Sequence, residues 1–105
     1  MVIIETSIFT RQVQLLLSDD EYRVLQLELV HHPEKGKLIP GSGGLRKIRW
    51  LLPGRGKSGG LRTIYFWAVN KDQIFMLYIY SKIDQEDLNA DQLKILRKII
   101  KEEFK

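Results

Sequence analysis

The sequence predicts an α+β domain in which two N-terminal helices and a C-terminal helix pack on a twisted antiparallel sheet. Three observations lead there. Helical spacing of apolar residues marks both ends of the chain, and three strand-like apolar runs joined by short turns lie between them. A length of 105 residues with 44% hydrophobic content suits one compact core over residues 1–105, with no room for a second.

Val2-Ile3-Ile4 is a short apolar opening strand. From Ser7 to about Leu17, the residues Ile8, Phe9, Val13, Leu16 and Leu17 recur at helical spacing. Ser18 and Glu21 form a capping box for a second helix, and Asp19 and Asp20 complement its positive end. Tyr22, Leu25 and Leu29 are its apolar stripe, and His32-Pro33 ends it. Gly36 to Gly44, with Pro40, reads as a loop.

Leu45 to Leu52 alternates, placing Ile48, Trp50 and Leu52 on one face and Lys47 and Arg49 on the other. A basic, glycine-rich connection carrying Arg55 and Lys57 follows. Leu61 to Val69 has the β-branched and aromatic content of a central strand. After a turn at Asn70 to Gln73, Ile74 to Ser81 returns as the third strand of a meander. The last helix starts at Asn89, reciprocally capped by Gln92, with Leu93, Leu96 and Ile100 as its stripe. In this order, β-α-α-β-β-β-α, the helices cover one sheet face and leave the other for charge.

That charge is unevenly distributed. Residues 1–34 carry a net −4, residues 35–71 hold nine cations and no acid, and residues 72–105 carry a net −1. A segregated positive block is the electrostatic footprint of a polyanion-binding surface. A solvated basic loop is the plainer explanation, but here the cations alternate with core-type residues.

Several chemistries are set aside. Without cysteine there is no disulfide, thiolate nucleophile or sulfur-bound metal. His31 and His32 are adjacent at a helix end, where they interact with its C-terminus and do not share a ligand-bearing face. No phosphate-binding glycine loop has the required spacing, and no carboxylate cluster lies within the basic block to hold metal. Asp84, Glu86 and Asp87 are explained by a neighbouring helix start. Neither metal nor cofactor is expected. No uncharged run approaches the ~20 residues of a membrane helix, and a cysteine-free chain lacking a basic-then-apolar leader suits the cytoplasm.

What remains is cationic. Lys47 and Arg49 share a strand face, Arg62 opens the next strand, and Tyr78, Tyr80 and Lys82 share a parity on the strand after it. If the strands pair in sequence order, these groups converge. Guanidinium groups grip phosphate oxygens and tyrosine rings stack on unpaired bases. RNA brings its own nucleophile, the 2′-hydroxyl, so cations that orient it and stabilise a phosphorane suffice for cleavage without metal. A lysine crowded by other cations is a candidate base.

Gly43-Gly44-Leu45-Arg46-Lys47-Ile48-Arg49, the link Gly56 to Gly60, then Leu61-Arg62-Thr63-Ile64-Tyr65-Phe66, Ile79-Tyr80-Ser81-Lys82 and Asp87-Leu88-Asn89 together resemble HigB-type toxins of the RelE/ParE superfamily over nearly the whole chain. The resemblance implies a microbial-ribonuclease-like fold and metal-independent cleavage of mRNA in the ribosomal A site. It implies a cognate antitoxin of helix-turn-helix type from the same operon, through which alone operator DNA would be met. By position it matches Lys47 and Arg49 to the basic strand pair, Arg62 to the phosphate-binding arginine and Lys82 to a lysine after the last strand. With Tyr80 these are the expected catalytic set, and Arg46, Arg55, Lys57 and Tyr78 are the expected contacts to RNA or ribosome. RelE-type relatives carry a second arginine just beyond the lysine and a tyrosine further on, whereas Ile83 and Asn89 occupy those places here. The proton donor therefore stays open among Tyr80, Arg46 and Lys57. Two alternatives stand beside the nuclease: a ParE-like inhibitor of DNA gyrase, and a catalytically weak RNA-binding homologue.

Overall fold

A computed structural model describes residues 1–51 and 60–103. Its elements are β1 (Val2–Glu5), α1 (Ser7–Leu16), α2 (Asp19–His31), β2 (Lys37–Leu38), β3 (Leu45–Trp50), β4 (Leu61–Ala68), a 3₁₀ turn (Val69–Lys71), β5 (Gln73–Ser81) and α3 (Ala90–Glu103). The α+β class stands, with helices where the periodicity predicts them.

The two capping boxes form as the sequence signals, and a Thr6 cap not expected from the sequence joins them. The Thr6 hydroxyl accepts from Phe9 N–H at the start of α1. Ser18 and Glu21 complete their reciprocal box at 2.8 and 3.1 Å, and Asn89 and Gln92 do the same for α3 at 2.8 and 3.1 Å. At the end of α2, His31 Nδ1 lies 2.9 Å from the Leu27 carbonyl oxygen.

The sheet runs β1-β5-β4-β3-β2. β3, β4 and β5 form the expected antiparallel meander. Two edges differ from the sequence reading. β1 pairs parallel with β5, so the sheet is mixed. Part of the expected Gly36–Gly44 loop is the two-residue strand β2, antiparallel to β3. β3 ends at Trp50, and Leu52 lies outside the described residues.

A second difference matters more for the site. α1 and α2 bury Phe9, Val13, Leu25 and Leu29 against Ile48, Leu61, Tyr65, Met76 and Ile79. α3 buries Leu96 and Ile100 against Leu45, Ile64, Phe75, Leu77 and Tyr80. Successive strand residues point to opposite faces, so these two sets lie on opposite sides of the sheet. α3 does not join α1 and α2; it covers part of the face expected to be free. The reason is visible in β4 and β5, whose side chains are buried on both faces and need apolar cover on each. An irregularity in the β4–β5 register at Leu77 keeps Met76 and Ile79 on the first face and Tyr78 and Tyr80 on the second.

Candidate functional site

Cross-strand register brings the cations together. Arg49 on β3 sits opposite Arg62 on β4, which in turn sits opposite Tyr80 on β5. One row along, Lys47 faces Ile64, and Ile64 faces Tyr78. Residues paired in this way point to the same face. Lys47, Arg49, Arg62 and Lys82 accordingly line one open cleft of about 360 Å³ beside the approach to α3. Like charges directly opposite on neighbouring strands are destabilising. The Arg49–Arg62 pair carries that cost.

Arg62 is the most unusual of these groups. It is 6% exposed, yet its guanidinium makes a single hydrogen bond among the described residues, to its own neighbour's Leu61 carbonyl at 3.5 Å. A guanidinium has five N–H donors. No carboxylate lies within ion-pairing distance of Arg62 or Arg49 among the described residues. Donors of a largely buried side chain left open toward a cleft form a pre-organised seat for an anion.

Lys47 does have a partner. Its ammonium lies 3.1 Å from Asp87 Oδ1. That hydrogen bond holds the Asp87 carboxyl below the usual carboxylate range, with Arg62 adding a longer-range pull. Glu86 also lines the cleft. The block that is acid-free in sequence is therefore not acid-free in space, because the segment after β5 folds back beside β3. Asp87 is a cleft residue that the sequence pattern assigns to a helix start alone. Its Oδ1 does accept from Leu88 N–H at 3.1 Å near the helix start, but the same oxygen also accepts from Lys47 on the basic strand, forty residues back.

Tyr80 is buried under this cluster, packed with Leu96 of α3. Its hydroxyl has no hydrogen-bond partner among the described residues. Burial, reinforced by the Asp87 charge, pushes the phenol up to about 12, with Arg62 pulling the other way. Tyr80 is thus a donor that stays protonated. Tyr78 is half-buried against the same core and stacks near Tyr80, ring centroids 5.6 Å apart. Lys82 is exposed at the cleft rim, anchored through its own N–H to the Gly60 carbonyl.

Arg46 does not join this group. It lies on the other face of β3, where it donates to the carbonyls of Glu34 and Gly36 at 3.0 and 2.8 Å. Arg55 and Lys57 lie outside the described residues. Lys47, Arg49 and Asp87 also form one wall of an adjoining cleft of about 470 Å³, whose floor includes Ile39, Leu88 and Leu93.

Comparisons with known proteins agree with this fold. A family described as "RelE toxin of RelE / RelB toxin-antitoxin system" matches residues 3–105. The intact E. coli RelBE toxin–antitoxin complex contains a chain with the same fold: TM-score 0.57, 18% identity, 76% of this chain and 94% of that one covered. A double arginine-to-alanine mutant of E. coli toxin RelE in the free state is similar, with a TM-score of 0.59, 17% identity, and 81% and 86% covered. With the family match running from the first strand to the last residue, this chain belongs to the RelE toxin family and is the toxin component of a type II toxin–antitoxin system.

Proposed function

We propose that this toxin is an endoribonuclease that cleaves mRNA on the ribosome without metal, using the Lys47, Arg49, Arg62 and Lys82 cleft. The observation that carries the reading is Arg62, a largely buried side chain with open donors and no acid within ion-pairing distance among the described residues, set opposite a second arginine. Such a pair is suited to a phosphodiester whose charge grows during reaction. The RNA 2′-oxygen attacks phosphorus, the bond to the 5′-oxygen breaks, and one proton leaves the 2′-hydroxyl as another reaches the 5′-oxygen. Arg62 and Arg49 stabilise the phosphorane oxygens, and Lys47 and Lys82 hold the flanking backbone. The adjoining cleft, apolar along Ile39, Leu88 and Leu93, suits the face of an unstacked base.

The same reading supplies partners. The ribosome presents the message, and a cognate helix-turn-helix antitoxin blocks the toxin and alone contacts operator DNA. Action on ribosomes places the protein in the cytoplasm. Among the described residues no helix is long and apolar enough to cross a membrane.

The test is purified protein added to programmed ribosomes, with the message ends sequenced. Cut message from wild type, and loss of roughly 10²–10³ in rate for Arg62→Ala, is the expected result. Intact message from wild type overturns the reading. Two observations favour a second reading, an RNA-binding toxin that does not cut: Lys47 is already paired with Asp87 and the Tyr80 hydroxyl is shielded. That version predicts salt-sensitive RNA binding with every message end intact.

A further inference from the structure

A second cationic cleft lies on the same side of the sheet, away from the first. It is lined by Ser42 and Gly43 of the loop before β3 and by Lys94, Arg97, Lys98 and Lys101 of α3, and encloses about 620 Å³. We infer that this cleft is a separate binding site for the sugar–phosphate backbone of RNA, gripping the polyanion apart from the bond to be cut.

The argument starts from helix geometry. At 3.6 residues per turn, positions 94, 97, 98 and 101 fall within an arc of roughly 100°. The adjoining arc, through Leu93, Leu96 and Ile100, packs on the sheet. The cations therefore occupy one flank of α3, turned toward the Ser42–Gly43 loop. Lys94–Lys98 and Arg97–Lys101 are like-charge pairs four apart, and Lys94–Arg97 and Lys98–Lys101 are three apart. Each such pair destabilises a helix. None of the four makes an ion pair with the described acids. Lys101 complements the negative end of the helix, but Lys94, Arg97 and Lys98 have no such use. Four mutually repelling cations that make no ion pair among the described residues, with Asp91 and Glu102 the nearest acids along the helix, are suited to an anionic partner outside the protein.

The chemistry of the partner follows from the lining. Cations on one helix edge lie about 5–6 Å apart, a ladder of point charges suited to successive phosphates. The flank offers no exposed apolar anchor, because Ile100, the one apolar side chain in the cleft, is buried. A docked acidic protein segment would ordinarily use such an anchor. Gly43, at φ 77° with open space around its Cα, leaves the cleft wall low enough for a backbone to pass. The choice of RNA over another polyanion rests on the proposed nuclease function; the cleft itself does not.

The test measures binding of a fluorescein-labelled single-stranded RNA oligonucleotide by anisotropy across a range of salt. The variant Lys94→Gln/Arg97→Gln/Lys98→Gln should bind about tenfold or more weakly at moderate salt. Its slope of log affinity against log salt should be shallower by roughly 2, the share of three phosphate contacts. Its Tm should stay level or rise, since repulsion is relieved and glutamine favours helix, so lost binding cannot be blamed on lost fold. Arg49→Gln/Arg62→Gln should lower the slope independently. An unchanged slope and affinity in the α3 variant overturns the inference. So does loss of binding to a polyglutamate peptide with RNA binding intact, which would assign the flank to an acidic protein. Wild type that binds RNA with these slopes but leaves message uncut would sink the nuclease reading and leave this cleft standing.

Discussion

The two faces of the sheet treat the same residue types in opposite ways. On the α1/α2 face, Tyr65 is buried and its hydroxyl is fully used: it donates to the Pro33 carbonyl at 2.7 Å and accepts from Gly36 N–H at 2.8 Å. On the α3 face, Tyr80 is equally buried and its hydroxyl has no partner among the described residues. Arg46, on the first face, donates to two carbonyls of the segment that follows α2, whereas Arg62, on the second, has one long bond to its own neighbour among the described residues. The first face also holds Glu5, whose carboxylate accepts from Thr10 and Tyr22. Thr63 is its exception, a buried hydroxyl without a described partner. Satisfied polar groups rigidify a fold, and unsatisfied ones are tolerated where something else is to bind. The molecule satisfies most of its buried polar groups on one side and leaves Arg62 and Tyr80 open on the other.

The sharpest way to break this contrast is to truncate the two arginines. Arg62→Ala is expected to lower message cleavage by roughly 10²–10³ while leaving the urea midpoint level or raised, because it removes the repulsion with Arg49. Arg46→Ala should leave the chemistry intact and cost about 1.5–3 kcal/mol, since two charge-assisted bonds to carbonyls are lost. Urea unfolding and ribosome cleavage on both variants decide it. A large stability loss in Arg62→Ala would dissolve the distinction.

The tyrosines repeat the test at smaller scale. Tyr65→Phe leaves a buried N–H and a buried carbonyl without their partner, and about 1–3 kcal/mol of destabilisation is expected. Tyr80→Phe breaks no described hydrogen bond, so its stability should move little. If Tyr80 supplies the proton to the leaving oxygen, cleavage should fall and its pH profile should lose its alkaline limb.

Much of this arrangement is written in local pattern, and what is not has a physical reason. The capping boxes at Ser18 and Asn89 need only neighbours in the chain, and both are legible. Strand alternation also suffices to put Lys47 and Arg49 on one face. Periodicity says which side of α3 is apolar, not which side of the sheet it meets, and that choice was not legible from α3 alone. The informative signal was in the strands: a residue run such as Ile74 to Tyr80, apolar at both parities, requires cover on both faces. The Lys47–Asp87 pair and the two carbonyls taken by Arg46 depend on where a loop returns in space, which no spacing in the sequence encodes.

Changing pH probes the faces together. Burial raises the phenols of Tyr22, Tyr65 and Tyr80, the first helped by the Glu5 carboxylate. An unfolded tyrosine ionises near pH 10. Stability from these raised groups is therefore fully present below about pH 10 and erodes above it, as the unfolded chain loses protons that the fold retains. The urea midpoint should drop through this alkaline window, and Tyr80→Phe should make the drop shallower. At the other end, Glu28 and Asp87 are lowered by Lys35 and Lys47, so their contribution is present above about pH 4 and lost as pH falls further. A midpoint that stayed flat above pH 10 would mean the phenols ionise freely in the fold.

The smallest expected effect falls on Asp87, and its sign is the informative part. The ion pair with Lys47 joins a half-buried ammonium to an exposed carboxylate, a geometry worth about 0–1 kcal/mol. Asp87→Asn should therefore barely shift the urea midpoint. In the cleft, however, Asp87 is an anion among four cations, occupying a hydrogen bond that a phosphate oxygen would take. Removing its charge should tighten RNA binding a few-fold at low salt and steepen the salt dependence, because Lys47 becomes free to release a counterion of its own. Weaker binding in Asp87→Asn would mean that the carboxylate orients Lys47 toward the message and does not compete with it.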